Sequence, residues 1–217
     1  MSSDQHPPYV VSYIFLRRSV GVMGIALPLV LWLGDLILSG TALRVSFSAY
    51  YYSGMRDVMT GFLFSIAIFL LAYRGIDWKD EVAAKTACAF AVGVALLPTA
   101  PPNPTPGQEW ISFFHFMFAG GMFLTLAIFS HCLFTRLEPG KTLTDKKKKR
   151  NQFYRICGWV MVASIALIAL KEALIKADVV TDAAMNSWRP TFLFELLAVV
   201  AFGASWLIKG ETLFRDD

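Results

Sequence analysis

Charged residues are scarce in this chain. They make up 17% of its 217 residues, whereas ordinary soluble domains contain about 25%. Polar stretches long enough to form a separate soluble domain are also missing, because apolar runs follow one another along most of the sequence. This composition argues against a soluble enzyme or a nucleic-acid-binding protein. It favours a single integral membrane domain that covers residues 1–217.

Familiar catalytic motifs are absent as well. The sequence has no HExxH, GxSxG, P-loop or dinucleotide-binding pattern. Its three cysteines, Cys88, Cys132 and Cys157, lie in or beside apolar runs and have no CxxC partner. We therefore expect buried free thiols rather than a disulfide framework or a cysteine metal site. Any functional site has to be sought among scattered polar residues.

Six long apolar runs make up most of the sequence. Hydrophobic residues make up 56% of the chain, and the mean hydropathy is +0.53. A helix needs about 20 apolar residues to cross the hydrocarbon core of a bilayer. The sequence therefore predicts an all-α, polytopic bundle of six transmembrane helices, at about residues 20–39, 57–73, 82–97, 110–134, 154–175 and 190–208.

The basic residues predict the orientation of this bundle. With both termini in the cytoplasm, most of the 20 basic residues fall on the inner side, as the positive-inside rule requires. The run Lys146–Arg150 is then an inner loop that contacts anionic lipid head groups, and no nucleic acid is expected as a partner. We predict a multi-pass protein of a bacterial inner membrane. The oligomeric state stays open, a homo-oligomer included.

Ionisable residues recur near the opposite, outer end of the predicted helices. At about 1.5 Å of rise per residue, several of them lie about 6–8 Å below the outer edge. An ionisable side chain at bilayer depth costs about 2.5–3.5 kcal/mol on insertion scales, which makes it a functional candidate. With the hydroxyl-rich and aromatic segment before the second helix, they predict an outward-facing pocket, although three consecutive tyrosines are also typical of an aromatic belt at a membrane interface. Its candidate residues are Asp35, Ser48, Tyr51, Arg56, Asp57, His115 and Glu195.

Several kinds of chemistry fit this set. The leading interpretation is a pocket for a lipid head group or a small polar ligand. Asp57, His115 and Glu195 could instead bind a divalent metal such as zinc in a lipid hydrolase, and Ser46 or Ser48 could act as a nucleophile beside His115. An ion or proton relay is a further alternative. The last alternative is a purely structural role for these residues. Ion pairs would then join the outer ends of the helices: Arg56 with Asp57, Lys171 with Glu172, and Arg189 with Glu195.

Two segments show a family resemblance. Ser46–Val58 (SFSAYYYSGMRDV) and Ala201–Glu211 (AFGASWLIKGE) resemble a group of uncharacterised bacterial multi-pass membrane proteins. More loosely, the chain is similar to the six-span Frag1/DRAM/Sfk1 and DUF998 types. It is more weakly similar to the alkaline ceramidase and adiponectin receptor superfamily, which implies a zinc hydrolase with Ser46 or Ser48 and Asp57 in its site. The chain departs from that superfamily in having six predicted spans and no HxxxH in the last one.

Overall fold

The computed structural model describes residues 12–41, 43–101, 103–181 and 187–212. Within these ranges the protein is all-helical, which confirms the predicted class. The α-helices are α1 (Tyr13–Ser39), α2 (Arg56–Ala72), α3 (Trp78–Leu96), α4 (Pro106–Ile128), α5 (Asp145–Lys176) and α6 (Pro190–Lys209). A short 3₁₀ helix (Ser48–Tyr52) lies between α1 and α2, and a π-helical turn (Phe129–Leu133) continues α4.

Four of these helices are long and apolar enough to cross a membrane: α1, α4 with its π-helical turn, α5 and α6. The other two are weaker candidates for spans. α2 has 17 residues, fewer than the about 20 that a typical span needs. α3 has 19 residues, but Lys79, Asp80, Glu81 and Lys85 fall in its first turns.

Short polar side chains begin most of the helices. Ser12 accepts a hydrogen bond from Phe15 N at the start of α1, and Asp77 caps α3. Thr105 caps α4 just before Pro106, and proline is favoured at this position because its missing N–H leaves no helical bond unmade. These caps satisfy backbone donors that the first helical turn leaves free.

The basic run was predicted as a loop, and that prediction is wrong. Lys146–Arg150 forms the first turns of α5, which starts after Thr144, whose side chain accepts a hydrogen bond from Lys147 N. Lysine and arginine have good helix propensity, so a capped run of them continues into the apolar helix behind it. At 32 residues, α5 is about 48 Å long and therefore extends beyond a hydrocarbon core of about 30 Å.

The six helices form a closed ring. Each helix packs against its neighbours in chain order from α1 to α6, and α6 returns to pack against α1. The α1–α6 contact is close because glycines face each other. A Cβ built on Gly203 would lie 2.8 Å from Gly21 O, a distance that packed side chains do not reach. The ring encloses a space in the half that contains the 3₁₀ helix. The end of the bundle on that side is called the outer end and the opposite end, where α5 begins, the inner end; the two words are labels and do not assign sides of a membrane.

Aromatic side chains fill the inner half of the ring. Trp206 packs its ring against those of Tyr73, Phe129 and Phe134, with centroids 5.2–5.5 Å apart, and all four residues are buried. Edge-to-face and tilted packing at such distances is favourable for aromatic rings. This cluster closes the ring below the outer space.

Candidate functional site

A cavity lies inside the ring above the aromatic cluster. It has a volume of about 80 Å³, several times the roughly 10–15 Å³ that one water molecule needs. Most of its lining is apolar, and Ser48, His115 and Glu195 are its polar residues. On α4 the lining runs from His115 to Leu126, a rise of about 16 Å. The cavity is therefore an apolar chamber with a polar outer end.

Ser48 and His115 are in direct contact at this polar end. Ser48 Oγ lies 2.8 Å from His115 Nε2, and His115 Nδ1 lies 2.5 Å from the carbonyl oxygen of Leu97. A carbonyl oxygen can only accept, so Nδ1 carries a proton and donates it. In the neutral imidazole Nε2 is then the acceptor for the Ser48 hydroxyl. His115 is buried, with 3% of its surface exposed.

Glu195 fixes the backbone next to Ser48. Its Oε2 accepts a hydrogen bond from Phe47 N at 2.6 Å, and Phe47 directly precedes the 3₁₀ helix. The Phe47 side chain is buried and its ring packs against Phe192 of α6, with centroids 4.7 Å apart. Glu195 and Phe192 of α6 thus hold the turn that contains Ser48 against that helix.

A gap between α4 and α5 leads sideways to the same polar end. It has a volume of about 430 Å³ and is lined by residues such as Phe116 and Gly120 of α4 and Ile168 and Glu172 of α5. The cavity and the gap share Ser48, His115, Ala119, Phe123 and Glu195, so the two spaces meet there.

The gap closes toward the inner end of the helices. There Gly158 of α5 lies against α4, because a Cβ built on Gly158 would be 2.9 Å from His131 Cβ and 3.3 Å from Ala127 O. At the outer end, Lys171 of α5 is buried and donates to Glu172 Oε1 and to Thr191 Oγ1 of α6, both at 3.0 Å. The opening therefore lies in the outer half, where α5 is held by α6 rather than by α4.

Asp35 lies outside this cavity. It is fully buried and forms a two-point ion pair with Arg44, at 2.7 Å from Nε and 3.0 Å from the second guanidinium nitrogen. Ser39 Oγ also donates to Asp35 Oδ1 at 3.0 Å. Asp35 therefore fastens the segment after α1 to the outer end of that helix.

Arg56, Tyr51 and Asp57 also lie apart from the cavity. Arg56 donates to the Tyr51 hydroxyl at 2.6 Å, and its guanidinium lies 4.2 Å from the centre of the Tyr51 ring. Asp57 is exposed and lines a shallow depression with Met23 of α1 and with other residues of α2. Of the seven predicted site residues, the structure thus brings together Ser48, His115 and Glu195.

The predicted metal ligands are not gathered into one group. Among the residues that the structure describes, no three His, Cys, Asp or Glu side chains lie close enough together to hold a metal ion. Asp57, His115 and Glu195 are no exception, because Asp57 lines the depression on α2 while the other two line the cavity. The residues that the structure describes therefore do not provide a set of ligands for a zinc ion.

Two contributors to the site were not predicted from the sequence, the Leu97 carbonyl and the Phe47 amide, and neither was Arg44, the partner of Asp35 outside the cavity. Arg44 had a signal, since it is a basic residue within ten positions of a buried acid. The two backbone groups had none, because any residue supplies a carbonyl and nearly any residue supplies an amide.

Comparison with known proteins adds no relative. No protein-family model, curated protein or solved structure matches the chain.

Proposed function

We propose that this protein binds an acylated membrane lipid, which enters through the gap between α4 and α5. The lipid's polar group lies against Ser48, His115 and Glu195, and one apolar chain fills the cavity beneath them. The observation that supports this most is the form of the cavity, which is apolar along about 16 Å and polar at one end. An amphiphile has the same arrangement.

The lateral gap supports a ligand that comes from the bilayer. Its rim is formed by apolar residues of α4 and α5 that would face lipid, such as Phe113, Phe116 and Ile168. A lipid could pass between the two helices without leaving the hydrocarbon layer. The buried aromatic cluster around Trp206 lies below the cavity, which favours a binding site over a continuous path for ions.

The proposal includes six spans, with both termini on the cytoplasmic side of a bacterial inner membrane. α2 and α3 complete the ring with the four more apolar helices, and the basic residues are concentrated at the end away from Ser48. The test is labelling of intact cells with a membrane-impermeant maleimide, after the native cysteines are replaced. Gly107→Cys should react in intact cells and Lys146→Cys only after permeabilisation; the reverse pattern would invert the orientation.

Anionic lipid head groups are the proposed partners of the inner end. The basic start of α5, Lys146–Arg150, borders a pocket of about 80 Å³ that is also lined by Arg17, Arg136 and Lys209. Anionic lipids should raise the melting temperature of the purified protein more than zwitterionic lipids do. Lys209→Gln should reduce this difference, and Lys85→Gln, on exposed α3 surface, should leave it unchanged.

The central test is photo-crosslinking in nanodiscs with a phospholipid that has a diazirine in one acyl chain. Crosslinked peptides should include the cavity side of α4 or α6, around Met122 or Val199. Ala119→Trp places an indole where cavity and gap meet and should abolish this labelling. The matched control is Ala89→Trp, on an exposed position of α3. Labelling confined to lipid-facing positions, and unchanged by Ala119→Trp, would refute the proposal.

A further inference from the structure

The Ser48–His115 contact at the polar end of the cavity has the geometry of an activated nucleophile. A serine hydroxyl becomes a nucleophile when a base within about 2.6–3.2 Å accepts its proton and a third group orients that base. Ser48 Oγ and His115 Nε2 are 2.8 Å apart, and Leu97 O holds Nδ1 at 2.5 Å. All three requirements of such an arrangement are met.

The orientation of the imidazole matters for this role. Because Leu97 O fixes the proton on Nδ1, the neutral ring presents the lone pair of Nε2 to the Ser48 hydroxyl. A backbone carbonyl here takes the position that a carboxylate has in the common serine triad. A buried histidine that serves only packing also needs a partner for its second ring nitrogen, so the position of Ser48 at a cavity is the observation that favours a reactive role. Ser48 lines both the cavity and the lateral gap.

From this geometry we infer that Ser48 and His115 hydrolyse an acyl ester of the lipid that the cavity binds. This inference rests on the proposed function and names its chemistry. The polar end of the cavity would hold the ester carbonyl next to Ser48 Oγ, with the acyl chain below it among apolar residues such as Met122 and Leu126.

The reaction would proceed in two balanced steps. Ser48 Oγ attacks the carbonyl carbon while its proton passes to His115 Nε2; the ester C–O bond then breaks, and the same proton passes to the leaving alcohol oxygen. Water next attacks the acyl-Ser48 ester and gives a proton to Nε2. The bond between the acyl carbon and Ser48 Oγ then breaks, the proton returns to Oγ, and a fatty acid is released.

Glu195 is a positioning residue in this arrangement. It holds Phe47 N at 2.6 Å and so fixes the turn on which Ser48 stands. Glu195→Gln keeps an oxygen acceptor for this amide, whereas Glu195→Leu removes it. The leucine variant should therefore react more slowly at Ser48, and the glutamine variant should restore the rate.

An alkyl fluorophosphonate, which phosphonylates activated serines, tests the inference on the full-length protein in nanodiscs. Peptide mass spectrometry should find one adduct, on Ser48. Ser48→Ala should abolish it and His115→Gln should slow it by about 10²-fold or more. Ser65→Ala is the matched control, since Ser65 lies partly exposed on α2 and its hydroxyl donates to Gly61 O in its own helix. If Ser48→Ala does not fold, the location of the wild-type adduct decides.

The diazirine lipid separates the two proposals. If that lipid labels the cavity but Ser48 gains no adduct, or gains it at the same rate in His115→Gln, the hydrolytic role is refuted and lipid binding stands. If neither probe reaches the cavity, both proposals are refuted.

Discussion

Arg44 donates hydrogen bonds from two guanidinium nitrogens to the two carboxylate oxygens of Asp35, at 2.7 and 3.0 Å. The carboxylate comes from the last turns of α1, and the arginine from the irregular segment that leads to Ser48. The pair therefore determines where this segment leaves α1. It also explains how a fully buried aspartate is tolerated in a helix that is long and apolar enough to cross a membrane.

Disrupting this pair should show strong coupling between its members. The Asp35 side chain is 1% exposed and the Arg44 side chain 22%, so the pair falls between a buried and a surface ion pair. We expect a coupling energy of about 1–3 kcal/mol. The measurement is a double-mutant cycle of Asp35→Asn and Arg44→Gln, from unfolding in detergent. Strictly additive losses would contradict a direct interaction.

Asp35 also shows that the sequence alone does not determine which partner a buried acid faces. Hydropathy and helix rise predicted a buried acid near the outer edge, and Asp35 is indeed buried. They could not predict whether the acid faces a cavity or a neighbouring arginine. That depends on the path of the segment between α1 and α2, which has no periodic pattern. The six helices were readable from long apolar runs, whose signal does not depend on contacts distant in sequence.

The glycine contact between α1 and α6 should be sensitive to any added side chain. A Cβ on Gly203 would meet Gly21 O and Ile25 Cγ1, both at 2.8 Å, and backbone atoms cannot move aside easily. Gly203→Val should destabilise the protein by about 1–3 kcal/mol or more, measured by unfolding in detergent. Gly61→Val is the matched control in α2, where nothing lies within 4 Å of an added Cβ. Equal losses would mean that helix propensity, rather than close packing, is being measured.

The start of α3 should give part of the protein's acid sensitivity. Partial burial would raise the pKa of Asp77, but hydrogen bonds from Arg136 and from Lys79 N outweigh it and lower that pKa below its ordinary value. Asp77 precedes the helix and stands outside its apolar part. A carboxyl group with a lowered folded-state pKa adds stability at neutral pH, and this is lost as the pH falls through that pKa.

Arg136→Gln should therefore weaken the pH dependence that Asp77 contributes. The melting temperature of the variant, followed between about pH 6 and pH 3, should fall less steeply than that of the wild-type protein. Asp77→Asn should have a similar effect, and the double variant should flatten the curve little further. An unchanged slope in Arg136→Gln would show that the Arg136–Asp77 contact at 2.8 Å does not control this titration.

The polar end of the cavity was predictable only in part. His115 and Glu195 stood out because ionisable residues are rare in apolar helices, and Ser48 because its segment is rich in hydroxyls. Their grouping depends on α4 and α6 facing the same cavity and on the 3₁₀ turn lying over it. Asp57 has an equally strong sequence signal but lies on another side of α2, since a shift of one or two residues along a helix turns a side chain away.

Closing the lateral gap should block lipid entry with little cost in stability. Gly120 lies in the gap, and no atom lies within 4 Å of a Cβ built there. A phenylalanine at this position would fill space on the route to Ser48. Gly120→Phe should slow labelling of the cavity by the diazirine lipid about tenfold or more, while the free energy of unfolding changes by no more than about 1 kcal/mol. Gly61→Phe, at an equally open position on exposed α2 surface, should leave the labelling rate unchanged. A normal rate in Gly120→Phe would place the lipid entrance elsewhere in the ring.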